Sequence, residues 1–126
     1  MAPLSIPASR LLAEELYDAA INRLAEGDLR AAIDGFRASL AADAAFRDAT
    51  HGLIHALKSA GDLDEAIALT EQLIAADPDD VLAYTSLSIL YQRQGKIPEA
   101  EAAATRAKLL GWKQQLREQK EADGLL

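Results

Sequence analysis

The chain has 126 residues, 50% of them hydrophobic and 26% charged, which is one ordinary domain's worth of sequence with enough apolar side chain to bury a core. Thirteen Lys and Arg against twenty Asp and Glu give a formal net charge of -7, a sign that repels phosphate backbones and anionic headgroups, so neither nucleic acid nor a membrane is an expected partner. Cysteine is absent, which excludes disulfides, thiolate metal sites and a cysteine nucleophile. Residues Met1 to Pro7 lack the basic start and apolar run of a secretory signal, and the expectation is a soluble cytoplasmic protein.

Taken in chain order, the elements repeat. Gly27-Asp28-Leu29, Gly61-Asp62-Leu63 and Gly95-Lys96-Ile97 are spaced 34 residues apart. Ala32, Ala66 and Ala100 stand five residues after these glycines, and Ala19, Leu53 and Leu87 eight before. A glycine at each helix end permits the left-handed conformation that reverses the chain within a few residues. Asp62 with Glu65 reads as a capping box for the next helix, and Pro98 suits a first helical turn. The small Ala32, Ala66 and Ala100 allow close helix crossings, while Ile33, Phe36, Leu40, Leu69, Leu73 and Ile74 supply apolar area at helical spacing. One helix pair cannot bury its own face, so neighbouring pairs must stack, and the end pairs need polar covers. Trp112 and Leu116, in the otherwise polar stretch Lys113 to Asp123, are expected to be that cover, as a separate helix over about 112–123. The first ten residues and Gly124-Leu125-Leu126 are expected to fray.

This phased pattern resembles the tetratricopeptide repeat, with repeats at about 13–46, 47–80 and 81–114 of one domain spanning 1–126. The third repeat carries Tyr84, Leu87, Ser88, Tyr91, Gly95 and Ala100 in the family's order of large, large, small, aromatic, glycine and alanine. The second keeps Leu53, Leu57, Gly61, Ala66 and Pro78 but has Ile54 at a usually small position. In the first, Leu16, Ala20, Gly27, Ala32 and Phe36 fit, Arg23 replaces an aromatic or Leu, and Ala44 and Trp112 stand where Pro78 does. The fold that the resemblance implies is an all-α solenoid of antiparallel helix pairs, about seven helices.

Charge is unevenly placed. Between Ser59 and Gln92 the acids Asp62, Asp64, Glu65, Glu71, Asp77, Asp79 and Asp80 meet no Lys or Arg, whereas from Arg93 onward bases outnumber acids. Head-to-tail self-association is one consequence such an asymmetry allows; solvated helix faces are the plain alternative.

Catalytic motifs are missing: the sequence has no Gly-rich phosphate loop, no G-x-S-x-G elbow and no H-E-x-x-H helix. The carboxylate pairs Glu14-Glu15 and Asp79-Asp80 are adjacent in sequence, so on a helix they diverge by about 100 degrees and do not form an acid/base couple. No enzyme activity and no cofactor are expected. Asp48, His51 and His55, at i, i+3 and i+7, share one helix face, and His51 and His55 are the only histidines. Two imidazoles and a carboxylate make an incomplete metal set, so polar groove residues are the preferred reading and a metal the weaker one.

The resemblance implies that the first helix of each repeat lines a concave surface where partner segments bind. Carried onto this sequence, that surface comprises Glu14, Tyr17, Ile21, Asp48, His51, His55, Leu82, Thr85, Ile89 and Arg93. The family also includes a clamp in which basic and Asn side chains hold a chaperone's C-terminal carboxylate. Here the matching surface offers Tyr17, Ile21, Gly52 and Ser86, with Arg93 the only nearby base, so that clamp is not expected. Acids around the first two repeats favour a protein or peptide segment of basic, or mixed apolar and basic, character. Three functions follow: a non-catalytic adaptor, a self-assembling scaffold that forms a homo-oligomer through the solenoid ends, and a metal- or pH-responsive module using His51 and His55. Trp112 packed on its own chain would weigh against the second.

Overall fold

The computed structural model describes residues 6–124. Six helices run in order: α1 (Ala8–Ala25), α2 (Leu29–Ala42), α3 (Arg47–Ala60), α4 (Leu63–Ala76), α5 (Val81–Arg93) and α6 (Ile97–Gly124). No strand occurs among the described residues, and the fold is the all-α, solenoid-class arrangement of helix pairs. The chain divides into two compact units, Met1–Ala66 and Ile67–Leu126, with the division inside α4.

The three glycine turns are built alike. Gly27, Gly61 and Gly95 have φ of 81°, 84° and 76°, a basin that a Cβ makes costly and glycine enters freely. In each turn the N–H after the glycine reaches back five residues: Asp28 to the Arg23 carbonyl at 3.0 Å, Asp62 to Leu57 at 2.9 Å, and Lys96 to Tyr91 at 2.9 Å. The glycine N–H closes the inner ring on Leu24, Lys58 and Gln92 respectively. Main-chain atoms alone thereby satisfy carbonyls that a helix end would leave orphaned. The next helix is then capped by side chain where one is available, as where Asp28 accepts the Ala31 N–H at 3.2 Å. Glu65, expected in a capping box, ion-pairs with Arg37 of α2.

Within the first unit the core is built by small residues letting large ones approach. Phe36, Ala32, Ala13, Ala20, Ala49, Ile54 and Leu57 are essentially inaccessible. A Cβ added to Gly35 would lie 2.8 Å from the Ala20 Cβ, and one added to Gly52 would collide with the Phe36 ring; α1 meets α2 and α2 meets α3 at these points. Tyr17 packs beside Phe36 with ring centroids 5.8 Å apart and edge-on to Phe46 at 5.3 Å. Ser39, fully buried, donates to the Ala13 carbonyl at 2.6 Å, so α2 is tied to α1 by a hydrogen bond as well as by contact.

In the second unit Leu90, Ala83, Leu87, Ala100, Ala103 and Leu110 are buried. Ser88 donates to the Ala100 carbonyl at 2.8 Å, joining α5 to α6. Thr70 and Leu73 of α4 are also buried, and the α4 carboxylate of Glu71 accepts from the Tyr91 hydroxyl at 3.1 Å.

Two expectations change at the chain ends. Residues 1–5 and 125–126, expected to fray, lie outside the described residues, but Ala8–Arg10 and Gly124 are helical. Arg10 anchors the first turn: its guanidinium lies 4.1 Å from the Phe46 ring centroid and 3.3 Å from Asp43. The expected separate cover helix is instead the second half of α6, which runs unbroken for 28 residues. The inter-pair loops show why. Asp43 accepts from the Ala45 N–H at 3.0 Å and Asp77 from the Asp79 N–H at 3.1 Å, turns that compete with the helix. Thirty-four residues after Asp77 stands Gly111, with Trp112 in place of Pro78, so the third copy lacks both breakers and the helix continues. Trp112 and Leu116 do not act as a cover; they are 57% and 70% exposed.

Candidate functional site

On the first unit, Glu14, Tyr17 and Ile21 recur at i, i+3 and i+7 on α1, and Asp48, His51 and His55 at the same spacing on α3, a helix that contacts α1. Ile21 is 37% exposed, Asp48 and His55 are exposed, and Glu14, Tyr17 and His51 are half-buried. Tyr17 belongs to the core as much as to the face, since its ring lies against Phe36 and Phe46. Burial, then the carboxylates of Asp48 and Asp18, push its hydroxyl above the usual 10.0. The field on this face is therefore negative, and the Tyr17 hydroxyl stays a hydrogen-bond donor. Glu14 is partly engaged by Arg10 at 3.5 Å. His55, exposed at one edge, has its pKa lowered below 6.5 by partial burial of the ring and then by Lys58, which favours the neutral imidazole, able both to donate and to accept.

Three such groups do not make a metal centre. Among the described residues no three His, Asp or Glu side chains converge enough to hold an ion; Asp48 and His55 are seven residues apart, about 10 Å along the helix axis.

On the second unit, Leu82, Thr85, Ile89 and Arg93 fall along one exposed side of α5. Leu82 is 54% and Ile89 38% exposed, so these aliphatics are surface, not core. The Thr85 hydroxyl donates to its own helix at Val81, 3.1 Å away. A feature that sequence reasoning missed lies on the α5–α6 hairpin: an apolar cleft of about 320 Å³ between Tyr84, Leu87 and Tyr91 on α5 and Ala102, Ala103 and Arg106 on α6. The Arg106 guanidinium sits 6.0 Å from the Tyr84 ring centroid and the Lys96 ammonium 5.9 Å from Tyr91. The signal was present in the i, i+3, i+7 spacing of Tyr84, Leu87 and Tyr91, which serves core and cleft alike.

Both faces set exposed aliphatic groups beside polar ones, acids and imidazoles on α1 and α3 and the Arg93 guanidinium on α5. The tetratricopeptide repeat profile matches residues 23–88 and 57–110, more than half of the chain, and the chain belongs to that family. Among solved structures it is similar to MamA, at 27% identity and a TM-score of 0.76 over 82% of this chain and 60% of that one; the chain thus spans about three fifths of MamA's length. It is also similar to the Yersinia enterocolitica type III secretion chaperone SycD in complex with a peptide of the translocator YopD (22% identity, TM-score 0.72, 89% of this chain and 92% of that one). The second repeat domain of Spaghetti (RPAP3), bound to the HSP90 peptide SRMEEVD, matches at 23% identity and a TM-score of 0.74, over 83% and 99% of the two chains. No curated protein matches the sequence. No helix among the described residues is long and apolar enough to cross a membrane.

Proposed function

We propose that this chain is a non-catalytic adaptor that holds a helical or extended segment of a protein partner. The observation that carries the reading is the α1–α3 face: Ile21 and Asp48 exposed, Glu14 and Asp18 on α1, the Tyr17 hydroxyl pushed up by burial and then by Asp48 and Asp18, and His55 held toward neutrality by partial burial and Lys58. Peptide complexes of proteins with this fold support it. Leu82, Thr85, Ile89 and Arg93 of α5 offer a second contact face. The partner segment is basic or mixed apolar and basic, because Glu14, Asp18 and Asp48 surround the apolar groups and complementary charge governs encounter and discrimination. A cytoplasmic setting suits a chain without cysteine.

The test is fluorescence polarisation with two amphipathic peptides of the same apolar pattern, one carrying Lys and one Glu at the polar positions. The Lys peptide should bind at least ten-fold tighter, weaken with salt, and lose affinity in Ile21→Ser/Asp48→Asn/His55→Ala. Tighter binding of the Glu peptide, or unchanged binding in that variant, refutes the assignment. Tyr17→Ala is a poor probe, since removing its ring opens a void against Phe36 and Phe46.

A further inference from the structure

The second half of α6 is the least explained part of the molecule. Ala100, Ala103 and Leu110 bury one side of the helix on α5, but from Trp112 to Gly124 every residue is exposed. A polar helix of this length with only Gln114–Glu118 and Gln119–Asp123 side-chain bonds is marginal in water on its own. Its exposed side is not wholly polar. Thr105, Leu109, Trp112 and Leu116 form a stripe pointing away from the buried Ala100–Leu110 side, with Leu109 44%, Trp112 57% and Leu116 70% exposed.

We propose that a second copy of this chain covers the stripe, the two α6 helices pairing antiparallel about a two-fold axis at Leu109. The pattern is complementary to itself in this register. Ala102 and Leu116 each lie seven residues from Leu109, so the large side chain of either copy meets the small one of the other, and Trp112, three residues from Leu109, comes over Arg106 of the other copy. Charge agrees. Residues 97–105 carry Glu99 and Glu101 and no base, a net -2, while Lys113–Lys120 carries Lys113, Arg117 and Lys120 against Glu118, a net +2. Antiparallel pairing lays each acidic segment along the basic segment of the other copy, twice by symmetry. A parallel pair would set like against like. The exposed parts of Trp112, Leu109 and Leu116 from both copies amount to roughly 700 Å², the size of a weak, reversible interface, so the dimer should form only toward the upper end of a micromolar titration. This surface is separate from the α1–α3 face and stands whether or not that face binds peptides.

Trp112 is the only tryptophan, so its emission reports this interface alone. Sedimentation equilibrium from 1 to 500 µM should show monomer passing to dimer, with a matching blue shift of the emission. Leu116→Glu should shift dissociation at least ten-fold toward monomer without loss of far-UV helicity over α1–α5. Glu99→Lys should weaken the dimer and Glu99→Lys/Lys120→Glu restore it. For register, a chain carrying Ala102→Cys mixed with one carrying Leu116→Cys should give a mixed disulfide on oxidation; in one chain the two positions are about 21 Å apart along α6 and cannot bridge. Monomer throughout with red emission overturns the proposal. So do a dimer untouched by Leu116→Glu, species beyond dimer, or a blue shift that anionic phosphatidylserine vesicles produce and concentration does not.

Discussion

Gly52 provides the sharpest check on how the first unit is packed. A Cβ there would lie 2.7 Å from Cζ and 2.9 Å from Cδ1 of Phe36, and nearer still to Cε1, where ordinary carbon contacts are about 3.5–4.0 Å. Phe36 has no exposed surface and is flanked by Tyr17, so the ring cannot simply swing away. Gly52→Ala should therefore force α2 and α3 apart, costing up to about 3 kcal/mol as overpacking, partly offset by about 1 kcal/mol of helix propensity. The net of about 2 kcal/mol lowers Tm by roughly 6–10 °C for a chain of this size. Gly111→Ala is the matched control: it is also mid-helix, but nothing lies within 4 Å of an added Cβ, so only the propensity gain remains and stability should rise by about 1 kcal/mol. Both are read by urea and thermal melts followed by far-UV circular dichroism, which reports the helices of both units. Gly52→Ala with unchanged or higher Tm would show that Phe36 is free to move and that the tight α2–α3 approach is not a constraint. A drop in both variants would show that glycine is needed at each site for some other reason.

Ser88→Ala removes the hydroxyl that donates to the Ala100 carbonyl and leaves that acceptor buried; a loss of about 1–2 kcal/mol is expected in a urea melt, whereas Thr85→Ala, whose hydroxyl serves only its own helix, should change stability by less than about 0.5 kcal/mol. Asp28→Ala deletes the cap of α2 and should cost about 1 kcal/mol, visible as a lower urea midpoint at unchanged slope. For pH, the folded-state pKa of His55 lies below the 6.5 of a free imidazole, through partial burial of the ring and then Lys58, so the unfolded chain takes up the proton first. Stability from this group is complete above about pH 7 and declines as pH falls through 6.5 toward the lowered value; Tm measured at pH 5.5 and 8 should differ less in His55→Gln than in the unaltered chain.

The turns were legible because they depend on main-chain conformation that only one residue type enters easily, and Gly27, Gly61 and Gly95 repeat at fixed spacing. The core positions Ala32, Ala66, Ala100 and Phe36 were legible for a related reason, as size at a fixed register is written directly in the residue. Gly52 was not. Placed on the expected binding surface, it instead seats against Phe36, a contact between helices whose approach the sequence does not state. The course of α6 was not legible: Trp112 and Leu116 in a polar stretch suggested a separate cover helix, whereas helix ends are set by Asp43 and Asp77, which carry the competing hydrogen bonds, and Gly111 stands in their place in the third copy. Of the candidate face, the spacing on α1, α3 and α5 was readable, but the double duty of Tyr17 was not: only the positions of Phe36 and Phe46 show that its ring is structural.

The glycine turns close through carbonyls and amides alone, and nothing lies within 4 Å of where a Cβ on Gly27, Gly61 or Gly95 would stand. Chain reversal and the chemistry of the exposed faces therefore draw on different atoms. Ile21, Asp48, Leu82 and Ile89 can be exchanged for other side chains without disturbing a turn, so the exposed positions of this scaffold are free to vary while its folding instructions stay fixed.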